Sequence, residues 1–211
     1  MASHIALLGD SVFDNRAYTG TEPDVLAHLR SFLPSDWQAS LLAVDGSITR
    51  DLTSQLPRVS TDITHLVISV GGNDALLNFD LLAHPVSSTR EALALFRVRV
   101  REFESAYRLA MAAVLALERE TATCTIYNGN LEGIEGGLAR VALMMFNDVI
   151  LRVAFEEQLP VIDLRLICTE AGDYANPIEP SGRGGQKIAQ AITRALGLVE
   201  GGAGHSRVYA G

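Results

Sequence analysis

The chain contains little cysteine. Only two of its 211 residues are cysteines, Cys124 and Cys168, and neither belongs to a CxxC motif or to a cluster with histidine. Zinc sites and redox motifs need such clusters, so neither is expected, and no metal or other cofactor is implied. Both cysteines stand in short apolar stretches, which predicts two buried free thiols.

Positive charge is also scarce. Seventeen lysines and arginines stand against 25 aspartates and glutamates, which gives a net charge of -8. A surface of this sign repels phosphate backbones and is a poor match for anionic membranes. Neither nucleic acid nor a membrane is therefore expected as a partner, and no oligomeric state is predicted.

Long apolar runs are absent as well. No stretch approaches the roughly 20 residues that cross a membrane. The first residues, MASHIALLGD, enter a strand without the segments of a secretory signal, so a cytoplasmic location is the expectation. Length and composition predict one domain over residues 1–200, followed by a flexible, glycine-rich tail at 201–211.

Short apolar runs alternate with longer amphipathic stretches along the chain. Strands are predicted at 4–9, 40–44, 64–71, 123–128 and 160–164. Helices are predicted at 22–33, with Thr21 as a possible N-cap, and at 90–119, 137–157 and 184–197. The helix at 90–119 has an apolar face formed by Leu93, Phe96, Val100, Phe103, Tyr107, Met111 and Leu115.

This alternation predicts an α/β fold, a three-layer α/β/α sandwich around a parallel sheet. Functional sites in such sheets form at the carboxyl ends of the strands. The first strand ends in Gly9, Asp10 and Ser11, where glycine permits a tight turn and the serine hydroxyl is exposed. On its own, this tripeptide is better explained by a serine that caps a turn.

Two further motifs follow the second and third predicted strands. Residues 46–52 read GSITRDL, and Gly46 permits close approach of the backbone to a ligand. Residues 70–74 read VGGND, and the amide of Asn73 is a neutral hydrogen-bond donor. Each motif also has an ordinary structural explanation. Gly46 is then a glycine in a strand-to-helix loop, and Asn73 forms an Asx turn after a strand.

Taken together and in this order, the motifs resemble those of the SGNH (GDSL-type) hydrolase superfamily. The resemblance implies a five-stranded, flavodoxin-like sheet in the order 2-1-3-4-5 and an acyl hydrolase with Ser11 as nucleophile. It further implies an oxyanion hole formed by the N–H groups of Ser11 and Gly46 with the Asn73 amide. Asp10 belongs to the first motif, and we expect it at the substrate site.

The fourth motif departs from the family pattern. Residues 176–189 read NPIEPSGRGGQKIA, which resembles a family frame of aspartate, two residues and histidine before Pro-Ser. In this frame Asn176 stands in the place of the aspartate and Glu179 in the place of the histidine. An aspartate would repel Glu179, whereas Asn176 can form a hydrogen bond with it, so the two exchanges look like one electrostatic adjustment. Glutamate, with a pKa near ~4.3, is a weak base unless burial raises that value.

No histidine is an evident replacement. A surface or packing role is favoured for all five, which are His4, His28, His65, His84 and His205. His84, in a loop, and His205, in the tail, have some chance of reaching the site. Arg50 lies four residues after Gly46 and is a candidate to pair with Glu179 or to bind an anionic group of the substrate. A solvated arginine at the start of a helix is the slightly favoured alternative.

The leading functional prediction is a serine esterase that acts on small ester substrates. Ser11 attacks the ester and Glu179, oriented by Asn176, accepts or relays its proton. Because both usual partners of the serine are exchanged, two alternatives stay open: a non-catalytic ligand-binding protein, and an acyltransferase or another biosynthetic enzyme. Specificity is assigned to loops such as 76–90 and 129–137. The apolar stretch 76–84 covers the site, forms an interface or, as the favoured alternative, packs in the core.

Overall fold

The computed structural model describes residues 3–198 and residue 208. Five parallel strands form one sheet in the order β2-β1-β3-β4-β5, as the resemblance implied. The strands are β1 (Ser3–Gly9), β2 (Trp37–Leu41), β3 (His65–Ser69), β4 (Glu120–Cys124) and β5 (Val161–Ile162). The predicted α/β fold with a parallel sheet is confirmed.

Six α-helices lie in the described part of the chain. They are α1 (Val25–Phe32), α2 (Leu52–Gln55), α3 (Gly72–Leu76), α4 (Thr89–Leu115), α5 (Gly133–Glu156) and α6 (Gly182–Ala195). Four of them correspond to predicted helices. The sequence did not indicate α2 and α3, because one turn of helix is too short to show a periodic pattern.

Several predicted boundaries were wrong by three or four residues, among them the starts of α1, β2, β4 and α5 and the end of α4. The N-cap of α1 is Asp24, whose carboxylate accepts a hydrogen bond from the Ala27 N–H at 2.7 Å, and not Thr21. Aspartate is the stronger capping residue of the two. β2 begins at Trp37 instead of residue 40, where it pairs with Ser3 of β1, and it ends at Leu41 because Leu42 and Ala43 turn away from the ladder and both donate to the Leu7 carbonyl.

The sheet is buried on both faces. Within β1, Ile5 and Leu7 pack with residues of α1 and α6, whereas Ala6 and Leu8 pack with residues of α2, α4 and α5. Successive side chains of a strand point to opposite faces, so an uninterrupted apolar run fills two layers of core at once. The three layers bring the carboxyl ends of all five strands to one edge of the sheet.

Three sequence expectations concern single features of the chain. Cys124 and Cys168 are buried free thiols, as predicted. No helix within residues 3–198 combines the length and apolarity that a membrane crossing requires. His205 and, apart from residue 208, the predicted flexible tail at 201–211 lie outside the described residues.

Candidate active site

Ser11 lies two residues beyond β1, at the carboxyl edge of the sheet. It lines a cavity of about 100 Å³ together with Asp10 and Glu179, although Glu179 is 168 residues away in the sequence. The loop that carries Glu179 follows β5 and precedes α6. Two of the predicted catalytic residues, Ser11 and Glu179, therefore face the same space.

The turn before Ser11 requires glycine. Gly9 has a φ of +129°, and a Cβ atom there would lie 1.7 Å from the carbonyl oxygen of Ser69 on β3. That carbonyl accepts a hydrogen bond from the Asp10 N–H at 3.1 Å. The close approach of two backbones, which only glycine permits, sets the point at which the chain leaves the sheet.

Gln55 of α2 holds this turn in place. Its side-chain oxygen accepts a hydrogen bond from the Gly9 N–H and its side-chain nitrogen donates to the Gly9 carbonyl, both at 2.8 Å. Gln55 is almost fully buried. The sequence analysis missed this residue, which stands 46 positions from its partner.

Asn15 joins the first motif to the fourth. Its side-chain oxygen accepts a hydrogen bond from the Val25 N–H at 3.0 Å, and its side-chain nitrogen donates to the Pro180 carbonyl at 3.2 Å. Pro180 directly follows Glu179. Asn15 is fully buried and was also missed, although a polar residue shortly after the buried strand was a usable signal.

Burial raises the pKa of the Glu179 carboxyl above its ordinary value. The Ser11 hydroxyl, acting as a hydrogen-bond donor, opposes this shift, and the charge of Asp45 adds to it. Oε2 of Glu179 is buried with no hydrogen-bond partner among residues 3–198. A carboxylate in this position is a stronger base than an exposed glutamate.

Asn176 contacts the backbone of this loop and does not reach the Glu179 carboxylate. Its side-chain oxygen accepts hydrogen bonds from the N–H groups of Ile178 and Glu179, each at 2.9 Å, while the residue itself is exposed. This is an Asx turn, which fixes the path of the chain. Tyr127 acts on the same segment, because its hydroxyl donates to the Ile178 carbonyl.

Asp10 is almost fully buried beside Ser11. Desolvation raises the pKa of its carboxyl to about 8, against the hydrogen bond from the Val12 N–H, and the nearby charges of Glu179 and Asp74 act in the same direction as burial. Asp10 therefore favours its neutral form at neutral pH. The cavity is therefore lined by two carboxyl groups in different environments, those of Asp10 and Glu179.

Hydrogen bonds connect the segment after β2 with α3, which follows β3. The Asn73 side-chain nitrogen donates to the Ser47 carbonyl at 2.9 Å, and the Asp74 carboxylate accepts from both the N–H and the hydroxyl of Thr49. Gly46 has a φ of +78°, which favours glycine. Gly46, in the loop after β2, and Asn73, in the first turn of α3, thus lie at the active-site edge, outside the lining of the cavity.

Two other groups of candidates do not line the cavity. Arg50 is exposed in a 3₁₀ helix, Thr49–Asp51, and forms no ion pair with any residue in the described ranges. The predicted alternative in which it pairs with Glu179 is therefore not observed. The four described histidines also lie outside the lining. His4 contacts Asp62 and His65 contacts Thr64, both at the opposite end of the strands.

The cavity is mostly apolar. Its walls come from α3, the 3₁₀ helix Phe79–Ala83, α4, α5 and the loop after β4. The largest apolar side chains are Leu76, Phe79, Leu82, Phe96, Leu131, Leu143 and Phe146. The stretch 76–84 therefore covers the site. Packing in the core, the alternative that the sequence favoured, is wrong, because the end of α3 and the 3₁₀ helix lie above the ends of the strands.

No protein-family model matches the chain, and no curated protein sequence does. Solved structures do match. An extracellular lipase from Streptomyces rimosus has a TM-score of 0.70 and 16% identity, over 92% of this chain and 100% of the lipase. An acetylxylan esterase from Geobacillus stearothermophilus has a TM-score of 0.67 and 18% identity, over 92% and 94%.

A phospholipase A1 from Streptomyces albidoflavus is similar to the same degree, with a TM-score of 0.66 and 15% identity over 93% of this chain and 98% of the phospholipase. These likenesses extend over nearly all of each chain. The chain has the fold of the SGNH hydrolases.

Proposed function

We propose that this protein is a serine ester hydrolase whose substrates carry an apolar acyl group. The observation that supports it best is the cavity, in which the hydroxyl of Ser11 and the carboxyl of Glu179 meet a mostly apolar wall. An acyl chain in this cavity would bury apolar surface, and its carbonyl carbon would lie at the polar end. The folds of known lipases and esterases are consistent with this reaction.

The proposed reaction starts with attack by Oγ of Ser11 on the carbonyl carbon, while the hydroxyl proton passes to Glu179. The negative charge that forms on the carbonyl oxygen is stabilised by the N–H groups of Ser11 and Gly46 and by the Asn73 amide. When the intermediate collapses, the proton leaves Glu179 with the alcohol. Water then attacks the acyl-serine in the same way and releases the acid.

The role assigned to Glu179 rests on its burial. A base is most effective when its pKa lies near the working pH, and an exposed glutamate is far below that. Burial and the charge of Asp45 both raise the pKa of Glu179. The Asx turn of Asn176 and the contact between Asn15 and Pro180 then hold the loop in a fixed position.

The test is hydrolysis of p-nitrophenyl butyrate and octanoate by the wild type, Ser11→Ala, Glu179→Gln and the surface control Glu157→Gln. We expect Ser11→Ala to be inactive, the control to match the wild type, and Glu179→Gln to lose about 100- to 10,000-fold in kcat/KM. Full activity in Ser11→Ala would refute the proposal. A wild type no faster than Ser11→Ala, yet able to bind a fluorescent fatty acid, would instead indicate the ligand-binding alternative.

A further inference from the structure

Much of the outer surface of the first half of α5 is apolar although it faces solvent. In the first half of this helix, Ala142 and Leu143 line the cavity, yet Ile134 is 82% exposed and Met144 is 61% exposed. A helix that is apolar on all sides is normally buried in a core or in lipid. The outward apolar residues of α5 recur at helical spacing and are Ile134, Leu138, Val141 and Met144.

The neighbouring helix α4 extends this surface. The periodic pattern placed Leu93 on the apolar face of α4, but the residue is 62% exposed. A shallow groove between the two helices is lined by Leu93 and Val100 of α4 and by Met144 and Met145 of α5. Single exposed apolar residues are ordinary, whereas a contiguous group on two helices indicates a binding surface.

The α4 side of this surface carries a local positive charge, whereas Glu135 and Asp148 are exposed acidic residues on the α5 side. Residues 89–101 contain four arginines and one glutamate, which gives +3 in a chain whose net charge is -8. Arg97 and Arg101 line the groove, and neither forms an ion pair with a residue of the described ranges. Asp148, the acidic residue of the groove, is already paired with Arg152 at 2.9 Å.

We propose that this α4–α5 face, formed by Leu93, Arg97, Arg101 and the four outward apolar residues of α5, docks the protein on an anionic lipid surface. The apolar side chains enter the boundary between headgroups and acyl chains, and the guanidinium groups contact lipid phosphates. The net charge of the chain argued against such a partner, but attraction to a surface acts within a Debye length and is set by the local charge.

The alternative partner for this apolar face is a second copy of the chain. A two-fold contact through this face would bring the unpaired arginines of both copies together, and Asp148, the acidic residue of the groove, is already paired with Arg152, so the contact is unfavourable. An anionic lipid surface supplies a counter-charge. Charge complementarity therefore favours lipid over self-association.

The cavity adjoins this face. Leu76 and Phe79 line the cavity and are partly exposed, and the 3₁₀ helix that contains Phe79 contacts α5. The apolar lining of the cavity thus reaches the surface next to the docking residues. A docked lipid would have its acyl chain beside this opening, although docking itself does not depend on the proposed hydrolase activity.

The experiment is co-sedimentation with vesicles of phosphatidylglycerol mixed with phosphatidylcholine, compared with vesicles of phosphatidylcholine alone. We expect the wild type to bind the anionic vesicles more strongly, and less so as salt is added. The double variant Arg97→Gln with Arg101→Gln should reduce the partition coefficient on the order of thirtyfold. Arg194→Gln, on an exposed arginine of α6, is the matched charge control and should bind like the wild type.

Apolar insertion is tested with the double variant Ile134→Ser and Leu138→Ser, which should also weaken binding. Leu109→Ser, at a 72% exposed position in the second half of α4, is its control. Thermal unfolding of each variant checks that it folds. Ser11→Ala should bind vesicles like the wild type, which separates docking from catalysis.

Three results would overturn the proposal. The first is a wild type that stays in the supernatant with anionic vesicles. The second is an equal loss of binding in the controls and in the variants of the face. The third is a dimer in sedimentation velocity that Ile134→Ser with Leu138→Ser dissociates, which would make the face a contact between subunits.

Discussion

The side chain of Gln55 forms two hydrogen bonds of 2.8 Å with the backbone of Gly9, one to its N–H and one to its carbonyl. Gly9 ends β1, and Ser11 follows two residues later. A buried side chain of the short helix α2 therefore fixes the last residue of β1, two residues before the serine. Its geometry reproduces the pairing that a neighbouring strand would provide.

We expect Gln55→Ala to destabilise the protein by about 1–3 kcal/mol, because the buried Gly9 N–H loses its acceptor. The Gly9 carbonyl keeps a partner, since it also accepts from the Val44 N–H at 3.1 Å. Urea unfolding measures the loss. Ser54→Ala, at the exposed preceding position of α2, is the control and should change stability little. A Gln55→Ala protein as stable as this control would contradict the role given to the two hydrogen bonds.

Local patterns account for much of what could be predicted. Strands and long helices are visible in the sequence because their apolar residues recur at short range. The motif that carries Ser11 lies at the end of β1, and the loop that carries Glu179 follows the last strand, so the parallel sheet brings both to one edge. The resemblance then supplied the strand order, which no local pattern contains.

The contacts that could not be predicted join residues distant in sequence. Gln55 and Gly9 are 46 positions apart, and Asn15 and Pro180 are 165 apart. No periodicity signals such a pair, since each partner looks ordinary in its own segment. Leu93 shows a limit of local patterns. Its spacing places it on the apolar face of α4, but spacing does not distinguish a face buried in the core from an exposed binding surface.

Asp10 should make stability depend on pH. Burial raises the pKa of its carboxyl from 3.8 to about 8, so the folded state binds a proton more tightly than the unfolded chain. The free energy of unfolding then receives its full contribution from this group below pH ~4 and loses it as the pH rises towards about 8. In Asp10→Asn this loss should be absent.

Thermal unfolding across this pH range checks the prediction, with the difference between wild type and Asp10→Asn as the readout. As the pH rises, the wild type should lose stability relative to the variant. The buried wild-type carboxyl must then either ionise without solvation or stay protonated at a pH at which the unfolded chain is ionised. Asp36→Asn, at an exposed position, should give a difference that does not change with pH. Parallel curves for Asp10→Asn and the wild type would show that Asp10 ionises freely in the folded protein.

Burial is the main cause of the raised pKa of Glu179, and Asp45 should shift the acid limb of the activity profile further. Its charge raises the pKa of Glu179, and its carboxylate accepts a hydrogen bond from the Tyr18 hydroxyl at 2.7 Å. Asp45→Asn keeps an acceptor for Tyr18 and removes the charge. If Glu179 is the base, it must be ionised to act, so the acid limb of kcat/KM against pH should move to lower pH in Asp45→Asn.

The control for this shift is Asp36→Asn, whose acid limb should coincide with that of the wild type. Glu179→Gln should remove the limb along with most of the activity, since no carboxylate is then left to titrate. An unchanged limb in Asp45→Asn would mean that a group other than Glu179 controls the rate in acid.

The size of the cavity should determine the preferred length of the acyl chain. Ala142 of α5 lines the cavity, and a leucine there would occupy part of the space that an acyl chain needs. We expect Ala142→Leu to lower kcat/KM for p-nitrophenyl octanoate about tenfold relative to p-nitrophenyl butyrate, because a few methylene groups lose their place in an apolar pocket. Ala112→Leu makes the same substitution at an exposed position of α4 and should leave the ratio of the two substrates unchanged. An equal loss on both substrates in Ala142→Leu would indicate general damage to the site, and an unchanged ratio would mean that the acyl chain lies elsewhere.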